Sequence, residues 1–199
     1  VNDAPTLTAT GSNLTFTENG TRVDLFNTVT INTVETGQTI EQLILTVANV
    51  TDGTDELLHL DGEDITLTDG TSSTTLANGY GYNVSLVGTT ATVTLTTTGT
   101  SVANAQILVN DLAYENSSDN PTTANRVVTL TSIKDSGGTV NGGADTTTLA
   151  IASTVSITAV NDAPVIDLDA DNSTASGLDY RTNFLDGGAA VSIVDTDLI

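Results

Sequence analysis

Residues 82–95 read Tyr-Asn-Val-Ser-Leu-Val-Gly-Thr-Thr-Ala-Thr-Val-Thr-Leu, with apolar and polar side chains alternating on both sides of Gly88-Thr89. Successive side chains of a strand point to opposite faces of a sheet, so this alternation predicts two strands that each bury one face. Gly88 supplies the positive φ that a two-residue hairpin turn requires. The stretch therefore predicts an antiparallel β-hairpin.

The same period of two recurs along the first 160 residues. Apolar rows occur at Leu43, Leu45 and Val47, at Ile65 and Leu67, and along the strand predicted for 147–157. Asp-Gly and Asn-Gly pairs, which are typical of turns, lie between these rows. Eight or nine short strands at this spacing predict an all-β fold with the architecture of a β-sandwich.

One stretch departs from the period of two. Between Ser101 and Asn116 the apolar residues fall at helical spacing, at Val102, Ala105, Leu108, Val109 and Leu112. The Ser101 hydroxyl is suited to cap the first turn. We predict one short helix near 102–112 that crosses between strands.

Charge and composition exclude several classes of function. Twenty-five Asp and Glu residues against four Lys and Arg give the 199-residue chain a formal net charge of −21. Nucleic acids and anionic membranes bind basic surfaces, so we expect neither as a partner. No stretch approaches the ~18 apolar residues of a membrane span, so we expect no membrane insertion. Cysteine is absent and His59 is the single histidine. We predict that His59 faces solvent or a polar neighbour and that the chain is not an enzyme.

A repeated segment organises the chain. Val-Asn-Asp-Ala-Pro occupies residues 1–5 and recurs unchanged at 160–164, and a weaker echo relates 16–20 to 184–188. We therefore interpret 1–160 as one complete repeat and 161–199 as the truncated beginning of the next. The chain does not begin with Met and shows no apolar leader, so we expect it to be a piece of a longer protein. A β fragment of this length cannot bury a core of its own.

The acidic loops leave two interpretations open on composition alone. Clustered carboxylates suit Ca²⁺, which takes six to eight oxygen ligands, but acidity also keeps a protein soluble. Asp167, Asp169 and Asp171 match the opening of an EF-hand loop, yet Asn172 and Leu178 stand where that loop needs Gly and Glu. We expect these three aspartates to form the solvent-facing side of an opening strand.

Four features together resemble a cadherin-like repeat: the Asn-Asp-Ala-Pro junctions, the turn at Glu18, Leu-Ala-Tyr-Glu-Asn at 112–116 and Lys-Asp-Ser-Gly-Gly at 134–138. More closely, essentially all of 1–160 is similar to the tandem extender repeats of giant bacterial biofilm adhesins of the RTX type. The resemblance implies a Greek-key β-sandwich of the immunoglobulin or cadherin-like kind. It further implies an extracellular position on the bacterial surface and a spacer role in cell adhesion, with adjacent repeats of the same polypeptide as partners.

The resemblance also implies calcium between successive repeats. Residues that match its ligand positions are Glu18, Glu115, Asn161, Asp162, Asp195 and Asp197. A second site, at the other end of the first repeat, would use Asn2, Asp3 and Asp135. There the segment 32–35, Asn-Thr-Val-Glu, stands where the family has an Asp-x-Asp pair, so we expect that site to be incomplete and weaker.

Two other functions compete with the spacer. A module that binds a carbohydrate or a protein partner would need an exposed aromatic platform, and the four tyrosines and three phenylalanines fall mostly in core-like alternation. An acidic glycosidase with paired carboxylates would lack tryptophan for sugar stacking. The binding module is the stronger alternative.

Overall fold

The computed structural model describes residues 1–194, and in that part of the chain strands dominate. Its single α-helix, α1, spans Val102–Asn110. The strands are β1 (Thr6–Gly11), β2 (Thr15–Thr17), β3 (Val23–Asp24), β4 (Phe26–Asn32), β5 (Ile40–Ala48), β6 (Glu56–Leu60), β7 (Glu63–Thr66), β8 (Ser72–Thr74), β9 (Gly81–Val87), β10 (Thr90–Thr100), β11 (Ala113–Asn116), β12 (Arg126–Asp135) and β13 (Thr146–Thr158).

The strands form three sheets. The largest has seven strands in the order β2-β13-β12-β5-β10-β9-β8, antiparallel except for the parallel pair β2–β13. A four-stranded sheet has the order β3-β11-β6-β7, and β1 pairs with β4. Side chains from all three sheets and from α1 contribute to one buried apolar cluster. This arrangement is all-β with one helix and is consistent with a β-sandwich.

The local sequence signals have direct counterparts in the fold. Val87 pairs with Thr90 across a two-residue turn, and Gly88 adopts a φ of 61°, so the predicted hairpin is confirmed. The predicted helix is confirmed as α1, and the Ser101 hydroxyl accepts a hydrogen bond from the Asn104 N–H at 3.2 Å. The apolar rows predicted in β5 and β10 are buried.

Strand β13 is the longest strand of the described chain, and we use its two ends to name two ends of the first unit. Its thirteen residues extend about 40 Å at ~3.3 Å per residue. At its start, the Ala144 N–H donates to the Asn2 carbonyl at 2.9 Å, and we call this end the N-terminal pole. At its finish, the Glu18 N–H donates to the Thr158 carbonyl at 2.9 Å, and we call this end the C-terminal pole.

The chain divides into two compact units, Val1–Val160 and Asn161–Ile199. Within the described part of the second unit, residues 161–194, there is no strand or helix and no apolar side chain is buried. Phe184 is 69% exposed, whereas Phe16, its counterpart in the weaker echo, is fully buried. A segment this short has too little apolar surface to form a core.

The expectation for Asp167, Asp169 and Asp171 was wrong. We expected a strand with three solvent-facing carboxylates, but no strand forms there and Asp169 is buried. Its carboxylate accepts hydrogen bonds from the backbone N–H groups of 173–175 and from the Thr174 hydroxyl. These bonds, led by that of the Thr174 hydroxyl, hold the pKa of Asp169 well below its usual value. Both oxygens of Asp169 accept hydrogen bonds from residues of the same loop, and these bonds close the loop.

Candidate cation-binding poles of the first unit

Glu18 lies at the C-terminal pole, where the turn after β2 brings it beside the end of β13. Its side chain is only 3% exposed. One oxygen, Oε2, accepts a hydrogen bond from the Val160 N–H at 2.6 Å, while Oε1 is buried and has no hydrogen-bond partner. A buried carboxylate oxygen without a donor is costly, so this atom is suited to a ligand that carries positive charge.

The local sequence explains why Glu18 sits there. Phe16 is fully buried and meets the Tyr114 ring edge-on at a centroid distance of 6.0 Å, which anchors β2 in the core. Asn19 then adopts a φ of 59°, and the Gly20 N–H donates back to the Thr17 carbonyl at 2.8 Å. This tight turn carries the Glu18 side chain inward.

Glu115 lies on β11, on the opposite side of that strand from the buried Tyr114. Its carboxylate is partly exposed and pairs with Arg22 at 3.3 Å. Arg22 also bonds Asp64 at 2.9 Å, and Asp64 lies 2.6 Å from Nδ1 of His59. His59 therefore has the polar neighbour that we expected, and Glu115 belongs to a surface group of alternating charges.

The hydrogen bonds to Asp64 predict a pH-dependent contribution to stability. Burial acts to raise the pKa of its carboxyl, but hydrogen bonds and charges from His59 and Arg22 together hold that pKa below its usual value. A carboxyl with a lowered folded-state pKa stabilises the fold above its unfolded pKa, and the contribution is lost as the pH falls through the folded value. We expect Asp64→Asn to destabilise the fold at pH 7 by at most about 1 kcal/mol, because the group is half exposed. Urea unfolding at pH 7 and pH 3 should show a smaller difference from wild type at pH 3, and a difference at pH 3 as large as that at pH 7 would contradict this.

Asn2 is the centre of the N-terminal pole. Its Nδ2 donates to Asp135 Oδ1 at 3.1 Å, to the Gly138 carbonyl at 3.1 Å and to the Ala144 carbonyl at 2.6 Å. Its Oδ1 accepts a hydrogen bond from Gln38 Nε2 at 2.6 Å. One amide therefore joins the loop before β5 to the end of β12 and to the connection between β12 and β13.

Three more buried oxygens without hydrogen-bond partners belong to this pole: Glu35 Oε2, Gln38 Oε1 and Asp135 Oδ2. Asp135 is fully buried, and its other oxygen accepts from Asn2 and from the Gly137 N–H at 2.9 Å. Glu35 accepts a hydrogen bond from the Asp3 N–H at 3.0 Å through Oε1, while the Asp3 residue is itself exposed. Together with Glu18 Oε1, these are the orphaned side-chain atoms of the described chain.

The structure thus brings Asn2 and Asp135 into direct contact and puts Asp3 beside them. Asn161 and Asp162 belong to the second unit, where Asn161 Nδ2 donates to the Asp162 carbonyl at 3.0 Å. Asp195 and Asp197 lie outside the described residues. Among residues 1–194, no three His, Asp or Glu side chains gather closely enough to form a metal centre of acids and histidines alone.

Sequence reasoning missed Glu35 and Gln38. Glu35 ends segment 32–35, which stands where the family has an Asp-x-Asp pair, so the sequence did indicate that this position could matter. In the fold this segment is the bend that follows β4, with Val34 at a φ of 67° and its N–H donating to Asn32 Oδ1 at 2.9 Å. Gln38 carried no signal, because its role depends on the position of Asn2, 36 residues away in sequence.

Comparison with protein-family models, curated proteins and solved structures finds no match. No helix of the described chain is long and apolar enough to cross a membrane.

Proposed function

We propose that residues 1–160 are a non-enzymatic structural spacer, one repeat of an extracellular bacterial adhesin, built as a Greek-key β-sandwich of the cadherin-like kind. The observation that carries this proposal is the position of the two copies of the repeated segment. Residues 2–5 lie at the start of β13 and Val160 lies just beyond its finish, about 40 Å away along the strand. When a unit enters at one end and leaves at the other, each further copy adds its own length to the chain of repeats.

We further propose that calcium stiffens the junction at the C-terminal pole. Glu18 supports this role, because it holds the Val160 N–H with one oxygen and keeps the other buried and unpaired. The remaining proposed ligands are Glu115, Asn161, Asp162, Asp195 and Asp197. Carboxylates gathered around a linker repel one another, and a bound cation removes that repulsion, so calcium would turn a flexible string into a rod.

The positions of the tyrosines favour a spacer over a module that binds carbohydrate. Tyr80, Tyr82 and Tyr114 are buried in the core of the first unit. An aromatic platform for a sugar needs exposed ring faces, and these three rings do not supply it. The experiments below therefore test the role of adhesin spacer.

The proposal predicts that calcium narrows the range of distances between the two units. The chain has no cysteine, so spin labels can be attached at Thr148→Cys and Ser176→Cys, both at exposed positions. Pulsed electron spin resonance should give a broad distance distribution with chelator and a narrower one with 1–5 mM calcium, the range in which extracellular modules bind. Magnesium should have little effect, because it demands near-ideal octahedral geometry.

Glu18→Gln is the decisive variant, because it removes the charge of the buried carboxylate and keeps an acceptor for the Val160 N–H. We expect this change to abolish the narrowing, while Asp119→Asn, at an exposed loop position, leaves it intact. Equal distributions with calcium and with chelator in the wild-type chain would overturn the proposed junction.

A further inference from the structure

Residues 2–18, which we call the amino-terminal segment, run alongside β13 within the first unit. At the N-terminal pole, the Ala144 N–H donates to the Asn2 carbonyl at 2.9 Å, and Asn2 Nδ2 donates to the Ala144 carbonyl at 2.6 Å. At the C-terminal pole, Glu18 Oε2 accepts a hydrogen bond from the Val160 N–H at 2.6 Å. Both segments therefore run from the N-terminal pole to the C-terminal pole, and they are parallel.

Further hydrogen bonds join the two segments between the poles. The Thr147 hydroxyl donates to the Pro5 carbonyl. The Asn13 N–H donates to the Ser153 hydroxyl at 3.3 Å, and Asn13 Oδ1 accepts from the Thr154 N–H at 2.9 Å. β2 then pairs with β13 in a parallel ladder. Partners in the bonds that involve side chains are 140–142 positions apart in sequence, which is the nearly constant offset of two aligned parallel segments.

Gly11 allows the two segments to lie this close together. A Cβ at residue 11 would lie 2.2 Å from the Ala152 carbonyl oxygen and 3.0 Å from the Ser153 Cα. Both of these atoms belong to backbone, so rotation of a side chain could not relieve the contacts. A residue larger than glycine at position 11 would therefore push the amino-terminal segment away from β13.

We propose that this parallel arrangement gives the first unit a mechanical function, which is to resist tension applied between its two ends. Tension draws Val1 away from the N-terminal pole and Val160 away from the C-terminal pole. Because the two segments are parallel, these opposed forces slide one segment along the other, and the hydrogen bonds between them carry the load together. The inference rests on the proposed spacer role for its purpose, since a spacer between a cell and a surface is under tension.

The test is single-molecule force spectroscopy on the 199-residue chain in chelator, with two different pairs of attachment points. The chain has no cysteine, so handles can be joined at Val1→Cys with Val160→Cys, or at Val1→Cys with Val140→Cys. All three side chains are exposed. Residue 140 lies between two residues whose carbonyls accept hydrogen bonds from Asn2, so it belongs to the N-terminal pole. The first pair slides the two segments past each other, whereas the second pair pulls them apart from one end.

We expect the unfolding force for the first pair to exceed that for the second pair at least about twofold at the same loading rate, because several hydrogen bonds of similar strength must break together. Pulling from one end breaks the same bonds one after another. Both chains have the same fold, so ordinary stability cannot produce a difference that depends on the direction of pulling. Equal forces for the two pairs would overturn the proposal.

Two neighbouring threonines of β13 supply a matched variant and control. Thr147→Val removes the hydroxyl that bonds the Pro5 carbonyl and keeps the shape of the side chain. Thr148 is exposed and lies on the other face of the sheet. We expect Thr147→Val to lower the unfolding force for the first pair of handles and Thr148→Val to leave it unchanged. Equal effects of the two substitutions would show that the bonds to the amino-terminal segment do not carry the load.

Asn13→Gly tests the middle of the amino-terminal segment. The substitution removes the amide that accepts from the Thr154 N–H, and glycine tolerates the φ of 50° found at this position. We expect it to lower the force for the first pair of handles more than for the second. An equal loss for both pairs would indicate a general loss of stability and would contradict the role of Asn13 under tension.

The outcome of these measurements is separate from that of the calcium experiment. Every attachment point lies in the first unit and chelator is present, so the proposed junction makes no contribution to the measured force. Absence of the direction dependence would refute the mechanical function and leave the spacer and its junction standing. Calcium-independent distances between the units would refute the junction and leave the direction dependence unchanged.

Discussion

Arg126→Met is expected to lower the free energy of unfolding by about 3–5 kcal/mol, because it leaves a buried carboxylate without its partner. Arg126 and Glu56 are both fully buried, and the guanidinium bonds the carboxylate through Nε at 2.8 Å and Nη2 at 2.9 Å. Nη2 also bonds Asp52 at 2.8 Å, and Nη1 donates to the carbonyls of 122 and 124. Every donor of the guanidinium is used.

The same network reaches β11 and the loop before β6. The Tyr114 hydroxyl donates to Glu56 Oε2 at 2.9 Å, and Asn116 Nδ2 donates to Asp52 Oδ2 at 2.7 Å. Burial, and then the charge of Glu56, raise the pKa of the Tyr114 hydroxyl, so it remains a donor at neutral pH. Removing Arg126 therefore disturbs three segments at once.

Denaturant unfolding at pH 7 measures the loss of stability in Arg126→Met. Two further variants show whether the loss comes from the unpaired buried charge. Lys134→Met breaks the half-exposed ion pair with Glu41 at 3.0 Å and should cost less than about 1 kcal/mol. Adding Glu56→Leu to Arg126→Met should recover part of the loss, since it removes the unpaired charge. A loss below about 1 kcal/mol for Arg126→Met alone would contradict the interpretation of the network as a structural anchor.

Arg126 also shows which part of the buried network could be predicted from the sequence. Arg126, Val128 and Leu130 alternate along β12, so the period of two puts the arginine on the inward face, and a buried arginine demands buried acids. That signal was present, but its partners Asp52 and Glu56 lie about 70 residues away and only the fold identifies them. Local features such as the turn at Gly88 and the cap at Ser101 could be predicted, because a few adjacent residues determine them.

The N-terminal pole illustrates the opposite limit. Its oxygens come from 35, 38 and 135, and their orientation depends on which atom of each side chain the Asn2-Asp3 dipeptide takes. No spacing rule encodes that choice. The strand expected at 167–171 is wrong for a local reason, because the Asp169 carboxylate accepts hydrogen bonds from the backbone N–H groups of 173–175 and so closes a loop there.

Asn2→Ala is expected to destabilise the first unit by about 2–4 kcal/mol, whereas the same change in the second copy of the motif, Asn161→Ala, should cost less than about 0.5 kcal/mol. The two N–H groups of Asn2 Nδ2 share three acceptors, at the end of β12 and in the connection that follows it, and Asn2 Oδ1 accepts from the loop before β5. Loss of the Asn2 side chain therefore leaves the fully buried Asp135 short of a donor. Asn161 bonds the carbonyl of its neighbour, Asp162. Near-UV circular dichroism during urea unfolding follows the first unit, which contains three of the four tyrosines.

The pair of variants separates two roles for one pentapeptide. If the motif acts only as a linker ligand for calcium, both substitutions should leave the calcium-free stability alone and weaken calcium binding equally. If Asn2 is a positioning residue for its own unit, Asn2→Ala lowers the stability of that unit with chelator present. Asn161→Ala should then act on the distance distribution between the units and leave the calcium-free stability of the first unit unchanged. Equal losses of calcium-free stability from the two substitutions would refute the role that we assign to Asn2, because Asn2 bonds residues more than 30 positions away in its own unit whereas Asn161 bonds its neighbour.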